Sequence, residues 1–338
     1  MQFLSVSKVS ISVDFVRAAI TRLPMSQREI EGHLEACRIP PGLLDEPNAR
    51  VSLQQYALLI TRLMVASNDE LLGHGHQPLP MGSVSILCHW MIGAESMGQA
   101  VSRSARFYQI MGKGFDLSVH YEKDLFFIEA GANFHSRESD VYVYEFIFFS
   151  IHRILCWLRK DIFPIDHLYF PFAEPSHARD YRLMFYGAPV SFECDKARIA
   201  FSSELLQQPV LQSQETLKQM LADPFTNLLV LNFYGESWSS RVGRRVQELL
   251  PTLPSLPQMA EMMSLPPYTL QRRLAEEGVT YLDIKNQVKR DAAIEMLVHS
   301  NLSIEEISSR LGFSETSPFT RTFKQWTGVP PSAYRKRE

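Results

Sequence analysis

The 338-residue sequence predicts an α+β N-terminal domain, residues 1–235, and an all-α C-terminal domain, residues 236–338, with two helix-turn-helix motifs joined by a long helix. Three observations carry this expectation. Before residue 235, stretches with strand alternation lie between stretches of helical periodicity. From Arg241 onward the pattern is helical almost throughout. Within that stretch one arrangement occurs twice: a capping box, a short helix, a turn and a second helix.

Composition narrows the classes. Hydrophobic residues make up 45% and charged residues 21% of the chain, the balance of a globular protein whose core needs no disulfides. Cys37, Cys88, Cys156 and Cys194 are scattered without a C-x-x-C pair, as expected of thiols in a reducing compartment. The N-terminal MQFLSVSKVSISVDF lacks the basic start, apolar run and cleavage site of a signal peptide, so a cytoplasmic location is expected. The most apolar stretch, Val141 to Leu158, contains Glu145, His152 and Arg153; a buried helix is expected there, not a membrane span. Net charge is −3 but uneven: residues 241–338 hold 14 Lys/Arg against 11 Asp/Glu, and the remainder 20 against 26.

Residues 1–50 are broken by Pro24, Pro40, Pro41 and Pro47 into short helices and turns. Leu53 to Ala66 predicts an amphipathic helix, 73–80 a loop, and Met97 to Met111 a helix. Residues 116–130 predict a hairpin turning at Glu122 to Asp124, and Tyr142 to Trp157 a further helix. A strand is expected at 167–172 and a second hairpin over 189–202, turning at Asp195 and Lys196. Gln208 to Asp223 is helix-forming, with a linker before Ser240. Evenly spaced short strands of a jelly roll are not seen.

In the C-terminal part, Arg244 to Leu250 predicts a short helix. Ser255 and Gln258 form the first capping box, opening a helix that buries Met259, Ala260 and Met263. Tyr268 to Glu277 follows with Leu270 and Leu274 inward, and Gly278 stops it. Thr280 caps a long helix to His299 whose apolar side is Leu282, Ile284, Val288, Ala292, Met296 and Leu297. Ser303 and Glu306 form the second box; Gly312-Phe313-Ser314 makes the turn; Thr316 to Thr327 carries Phe319, Phe323 and Trp326 inward.

This pattern leaves Tyr268, Gln271, Arg272 and Arg273 outward on one helix, and Thr316, Ser317, Thr320 and Arg321 outward on the other. Arg can fork onto guanine and Gln onto adenine in the major groove, while Thr and Ser bond base edges or phosphates. Lys285, Lys289, Lys324, Arg335, Lys336 and Arg337 are candidates for neutralising phosphates. A bundle with a solvated charged face is the competing explanation for either motif alone, and two copies in register count against it.

The stretch IEEISSRLGFSETSPFTRTFKQWTGVPPSAYR, residues 304–335, resembles the second motif of the AraC/XylS family, with its LGF turn, its S-x-F-x-R-x-F-K helix and its G-x-x-P-x-x-Y-R end. PSLPQMAEMMSLPPYTLQRRLAEEG, residues 254–278, is similar to the family's first motif. Residues 167–210 resemble the effector domain of the subgroup typified by ornithine-utilisation regulators, through spaced aromatics, prolines and a Gly-x-Pro. Pro266-Pro267 and Pro318 depart from the family pattern, at first-turn positions where proline is tolerated. The resemblance implies a transcription regulator, an activator, with an N-terminal effector and dimerisation domain and no cofactor. Its implied partners are double-stranded promoter DNA, a small-molecule effector, RNA polymerase and a second copy of the chain. Tyr268, Gln271, Arg272, Arg273, Thr316, Ser317, Thr320, Arg321 and Lys324 are the implied DNA-contacting residues.

Other features are weaker. His74 and His76 lack neighbouring metal-ligand residues and are expected to be plain loop residues. The run Tyr142, Tyr144, Phe146, Phe148, Phe149 can be core or line an apolar cavity. Glu145, His152 and Arg153 are expected on a solvated or salt-bridged face rather than in a pocket. Arg103 and Arg106 could hold a carboxylate, though nothing positions them. No Gly-rich phosphate loop, G-x-S-x-G elbow or H-E-x-x-H is present, and an enzyme would leave the doubled motif unexplained. An architectural DNA protein would share the motif but coat DNA without sequence preference.

Overall fold

The computed structural model describes residues 9–112, 115–132, 137–230 and 238–335. The chain forms two compact units. One comprises Asp14–His33 and Ala57–Phe233; the other combines Met1–Val13 and Leu34–Tyr56 with Tyr234–Glu338. The second unit thus takes in two N-terminal stretches that a single cut at residue 235 would leave with the first.

The elements run β1 (Ser10–Ser12), α1 (Val13–Ile20), α2 (Gln27–Ala36), β2 (Arg50–Ser52), α3 (Leu53–Ser67), α4 (Ser83–Ile92), α5 (Met97–Met111), β3 (Phe115–Glu122) and β4 (Leu125–Ala132). Next come α6 (Arg137–Arg159), β5 (His167–Tyr169), α7 (Tyr181–Met184), β6 (Val190–Ser191), β7 (Ala197–Ser202), α8 (Gln214–Leu221) and α9 (Pro224–Val230). The C-terminal helices are α10 (Trp238–Glu248), α11 (Leu256–Met262), α12 (Pro267–Glu276), α13 (Tyr281–His299), α14 (Ile304–Arg310) and α15 (Thr316–Thr327).

The first unit is α+β. Its five-stranded sheet has the order β3-β4-β7-β5-β6. β3 and β4 form the expected hairpin, Glu122 pairing with Leu125 and Lys123 taking the positive φ of 55° that the tight turn demands. The hairpin expected over 189–202 is not formed. β6 pairs in parallel with β5, and β5 lies between it and β7, so sequence neighbours are separated in the sheet. The backbone N–H groups of Glu193 and Cys194 bond to Phe172 and Phe170 carbonyls, drawing the turn toward β5 instead. α9 occupies part of the stretch expected to be linker.

α6 is the core of this unit. Its segment Val141–Arg159 is long and apolar enough to cross a membrane, yet 89% of it is buried inside the protein. Tyr142, Tyr144, Phe148 and Phe149 are buried and pack as core, with Phe148 5.8 Å from Phe170 and Tyr144 6.5 Å from Phe172. Glu145, His152 and Arg153 are not on a solvated face. All three are buried, and each has partners supplied by distant residues. Glu145 accepts hydrogen bonds from Tyr181 and, at 2.6 Å, from His177. His152 Nε2 lies 2.8 Å from the Phe163 carbonyl oxygen, and burial pushes its pKa down to about 3. Arg153 stacks on Tyr186, 4.3 Å from the ring centre, and donates to the Leu183 and Met184 carbonyls.

His74 is a core residue rather than a plain loop residue. It is buried, stacks on Tyr142 at 4.4 Å and lies 3.0 Å from the Ala18 carbonyl oxygen through Nε2. Arg103 donates to the Trp90 carbonyl at 2.6 Å. Among the described residues no cluster of three His, Cys, Asp or Glu could hold a metal ion.

The second unit is helical apart from a two-stranded ribbon. β1 and β2 pair antiparallel, Ser10 with Ser52 and Ser12 with Arg50. The ribbon is bonded to the C-terminal helices. Ser10 donates to the Asp291 carboxylate on α13, and the Arg50 guanidinium reaches Ser10 Oγ at 2.9 Å and its carbonyl at 2.7 Å. The Arg50 backbone N–H donates to the Tyr334 hydroxyl at 3.1 Å, and Arg38 donates to the Val298 carbonyl at 3.1 Å. Ser10, Asp291, Val51 and Tyr334 are all buried in this contact. Asp291 also accepts from Arg290 Nε at 3.0 Å, so this buried carboxyl group has two hydrogen-bond donors.

Candidate DNA-binding surface

The first motif is assembled around one apolar cluster. Val242 and Val246 of α10, Met259 and Ala260 of α11, Leu270 and Leu274 of α12, and Tyr281 and Ile284 of α13 pack together in it. Gln258 accepts the Ser255 backbone N–H at 2.8 Å, closing the expected box at the start of α11. Ser264, at φ 56°, turns the chain, and Pro267 opens α12 where a missing N–H costs nothing. α10 begins at Trp238, six residues before the expected Arg244.

With Leu270 and Leu274 inward, α12 turns the expected polar side outward. Tyr268 is 76% exposed, and Gln271 and Arg272 are also exposed. Arg272 meets Glu276 one turn on, at 3.5 Å. Arg273 differs from the other three. It is half-buried, with its guanidinium 4.2 Å above the Trp238 ring, and that ring also carries Arg241 at 4.1 Å. The Glu277 carboxylate holds the start of α10 by accepting the Trp238 and Ser239 N–H groups at 2.6 and 2.9 Å. Sequence reasoning missed Trp238 and Arg241. A Trp and Arg three apart on a helix was the available signal.

Thr280 and Asp283 cap α13, and the Tyr281 hydroxyl donates to the Pro254 carbonyl at 2.8 Å. Leu282, expected inward, is 60% exposed, because the buried stripe at this end of the helix runs through Tyr281 and Ile284. Lys285 lies over Tyr281 at 4.9 Å and Lys289 over Phe313 at 4.5 Å; burial lowers the Lys289 pKa. Arg335 is half-buried and donates to the Ser300 and Leu302 carbonyls, so its role is to tether the chain end. Lys336 and Arg337 lie outside the described residues.

The second motif repeats the construction. The Ser303 N–H donates to Glu306 at 2.6 Å, and Ile307 and Leu311 are fully buried. Gly312 makes the turn at φ 74°, where a β-carbon would lie 2.3 Å from the Pro251 carbonyl oxygen. α15 buries Phe319 and Phe323, and Trp326 meets Phe313 edge-on at 6.4 Å. Outward, Ser317, Arg321 and Lys324 are exposed, while Thr316 and Thr320 are half-buried. Each motif therefore presents a helix with a polar outer side and an anchored apolar inner side.

Two stretches of the chain match known family models. Residues 29–210 match the family model described as the arabinose-binding domain of AraC transcription regulators, and residues 259–337 match a helix-turn-helix domain model. The chain belongs to the AraC family of transcription regulators. This AraC-family chain is 26% identical, over 303 residues and 89% of each chain, to the ornithine utilization regulator of Pseudomonas aeruginosa. It is 26% identical over 133 residues to the urease operon transcriptional activator of Escherichia coli, covering 38% of this chain and 45% of the other. Among solved structures it is similar to the transcriptional regulator CdpR of Pseudomonas aeruginosa, at 21% identity and a TM-score of 0.32, covering 92% of this chain and 97% of that one. The AraC family accounts for an α+β N-terminal part and a helix-turn-helix C-terminal part, and its members regulate transcription rather than catalyse a reaction.

Proposed function

We propose that this AraC-family regulator activates transcription by inserting α12 and α15 into the major groove of a promoter and by answering to a small organic effector. The observation that carries the reading is the pair of helices α12 and α15, each following a helix opened by a capping box and each with a buried Leu or Phe anchor and an exposed polar side. In this reading Tyr268, Gln271, Arg272, Ser317 and Arg321 contact base edges. Thr316, Thr320 and Lys324 hold the backbone, and Arg273 reaches DNA from its seat on Trp238. The division of labour is an effector-sensing and dimerising part within residues 1–235 and the groove-entering helices within 236–338, the latter braced by the N-terminal ribbon. RNA polymerase and a second copy of the chain are the proposed protein partners, and the cytoplasm the proposed location. Likeness to an activator of a urease operon supports the activating role.

The test has two parts. Selection from random-sequence duplexes, followed by footprinting, returns a defined site if the two helices read bases; uniform coating returns the architectural alternative. A thermal-shift screen then seeks the effector among amino acids, fatty acids and aromatic acids. Ornithine comes first in it because of the relative named for its utilization. A ligand that raises the melting temperature and also alters affinity for the selected duplex is the expected result.

A further inference from the structure

We infer that Trp238 and the arginines of α10 form a clamp for the DNA phosphodiester backbone beside the first recognition helix. This rests on the reading of α12 as a groove-entering helix and deepens it. Trp238 bears two guanidinium groups, Arg241 from its own helix at 4.1 Å and Arg273 from α12 at 4.2 Å. Among the described residues neither is paired with a carboxylate. Two like charges brought to one ring repel, and an anion between or beside them removes that cost.

The same side of α10 continues into a groove of about 320 Å³ lined by Arg241, Arg244, Arg245, Glu248, Met262 and Met263. Its acidic lining residue, Glu248, is already engaged, and so are Glu276 and Glu277 at the end of α12. Glu248 pairs with Arg245 at 2.8 Å, Glu277 accepts from the N-terminal backbone of α10, and Glu276 meets Arg272. The groove's far wall, Met262 to Ser264, is the turn that feeds α12. A helix seated in a major groove about 12 Å wide has phosphates on both flanks, so cations fixed along its approach meet backbone rather than bases. Stacking on Trp238 holds two guanidinium groups in place beforehand, which lowers the ordering cost of that contact.

The test uses the full-length chain and a duplex selected by it from random sequence. The wild-type protein is compared with Arg241→Gln, Arg241→Gln/Arg244→Gln, Trp238→Leu and Trp238→Phe, each checked for an unchanged melting temperature. Affinity is measured against salt, on the selected duplex and on a scrambled one. The expected result is roughly equal weakening on both duplexes and a salt slope lowered by about 0.9 for each phosphate no longer neutralised. Trp238→Leu should match Arg241→Gln, and Trp238→Phe should restore most of the affinity. An unchanged slope with site preference intact overturns the clamp. So does a weakening confined to the selected duplex, which would mean base reading. Unchanged DNA affinity with reduced transcription in a purified polymerase assay overturns it too, and assigns the arginines to an acidic protein partner. If the wild-type chain itself selects no site, the groove-reading helices fail as well, an outcome distinct from the others.

Discussion

Gly312 is the turn residue of the second motif, and it admits no side chain without strain. Its φ of 74° is strained for any side chain, and the Pro251 carbonyl oxygen blocks the β-carbon at 2.3 Å. Gly312→Ala should cost more than about 1 kcal/mol, because strain and clash add, and calorimetry of the full chain checks it. Arg272→Ala or Arg321→Ala should cost about 1–3 kcal/mol on the selected duplex and relax preference at one base, whereas Lys324→Ala should weaken all duplexes alike. Glu70 gives a pH dependence. It is buried, it accepts the Gly82 and Val84 N–H groups at 2.8 and 2.9 Å, and burial lifts its pKa from 4.5 to about 7. Its proton is held more tightly when folded, so its contribution to stability is full below pH 4.5 and is lost as pH rises through about 7. Denaturant unfolding should show wild type losing up to about 3 kcal/mol relative to Glu70→Gln across that range. At this scale Leu270, Leu274, Phe319 and Phe323 were legible in the sequence, since helical spacing fixes what faces inward. The seat of Arg273 on Trp238 and the partners of Glu145 were not, because each joins residues at least 32 positions apart.

Caps explain why the helices of the second unit were easier to read than the strands of the first. Ser255, Thr280 and Ser303 each start a helix with a box that the sequence displays locally. Ser303→Ala should destabilise the second motif by about 1 kcal/mol, seen as a lower melting temperature together with weaker duplex binding. β5 and β6 of the first unit are only two or three residues long, as are β1 and β2 of the ribbon, too short for alternation to declare itself. The misread hairpin over 189–202 shows a second limit. A turn at Asp195 and Lys196 is visible in the sequence, but β5 lies between the two strands it joins, and no local pattern announces that.

At the scale of the molecule, the DNA-binding unit is not continuous in sequence. Ser10, Arg50 and Arg38 supply bonds to Asp291, Tyr334 and Val298, and buried Ile11, Ile39, Leu43 and Val51 belong to the same unit. A chain cut to residues 236–338 leaves Asp291 without Ser10 and uncovers the apolar surface beneath the ribbon. It should melt well below the intact protein and bind the selected duplex more weakly; equal melting and equal affinity would show the ribbon dispensable. The clean division visible in the sequence had no signal for this, since Ser10 and Asp291 lie 281 residues apart.

That separation also sets a timetable for the nascent polypeptide. The two ribbon strands leave the ribosome before α13, which follows on the order of tens of seconds later at ordinary elongation speeds. Meanwhile the intervening residues can complete their own unit while Ile11 and Val51 wait uncovered, an open edge that invites wrong pairing. If the truncation test bears out the ribbon's contribution, full grip on a promoter waits until the ribbon strands and α13, made 281 residues apart, have met.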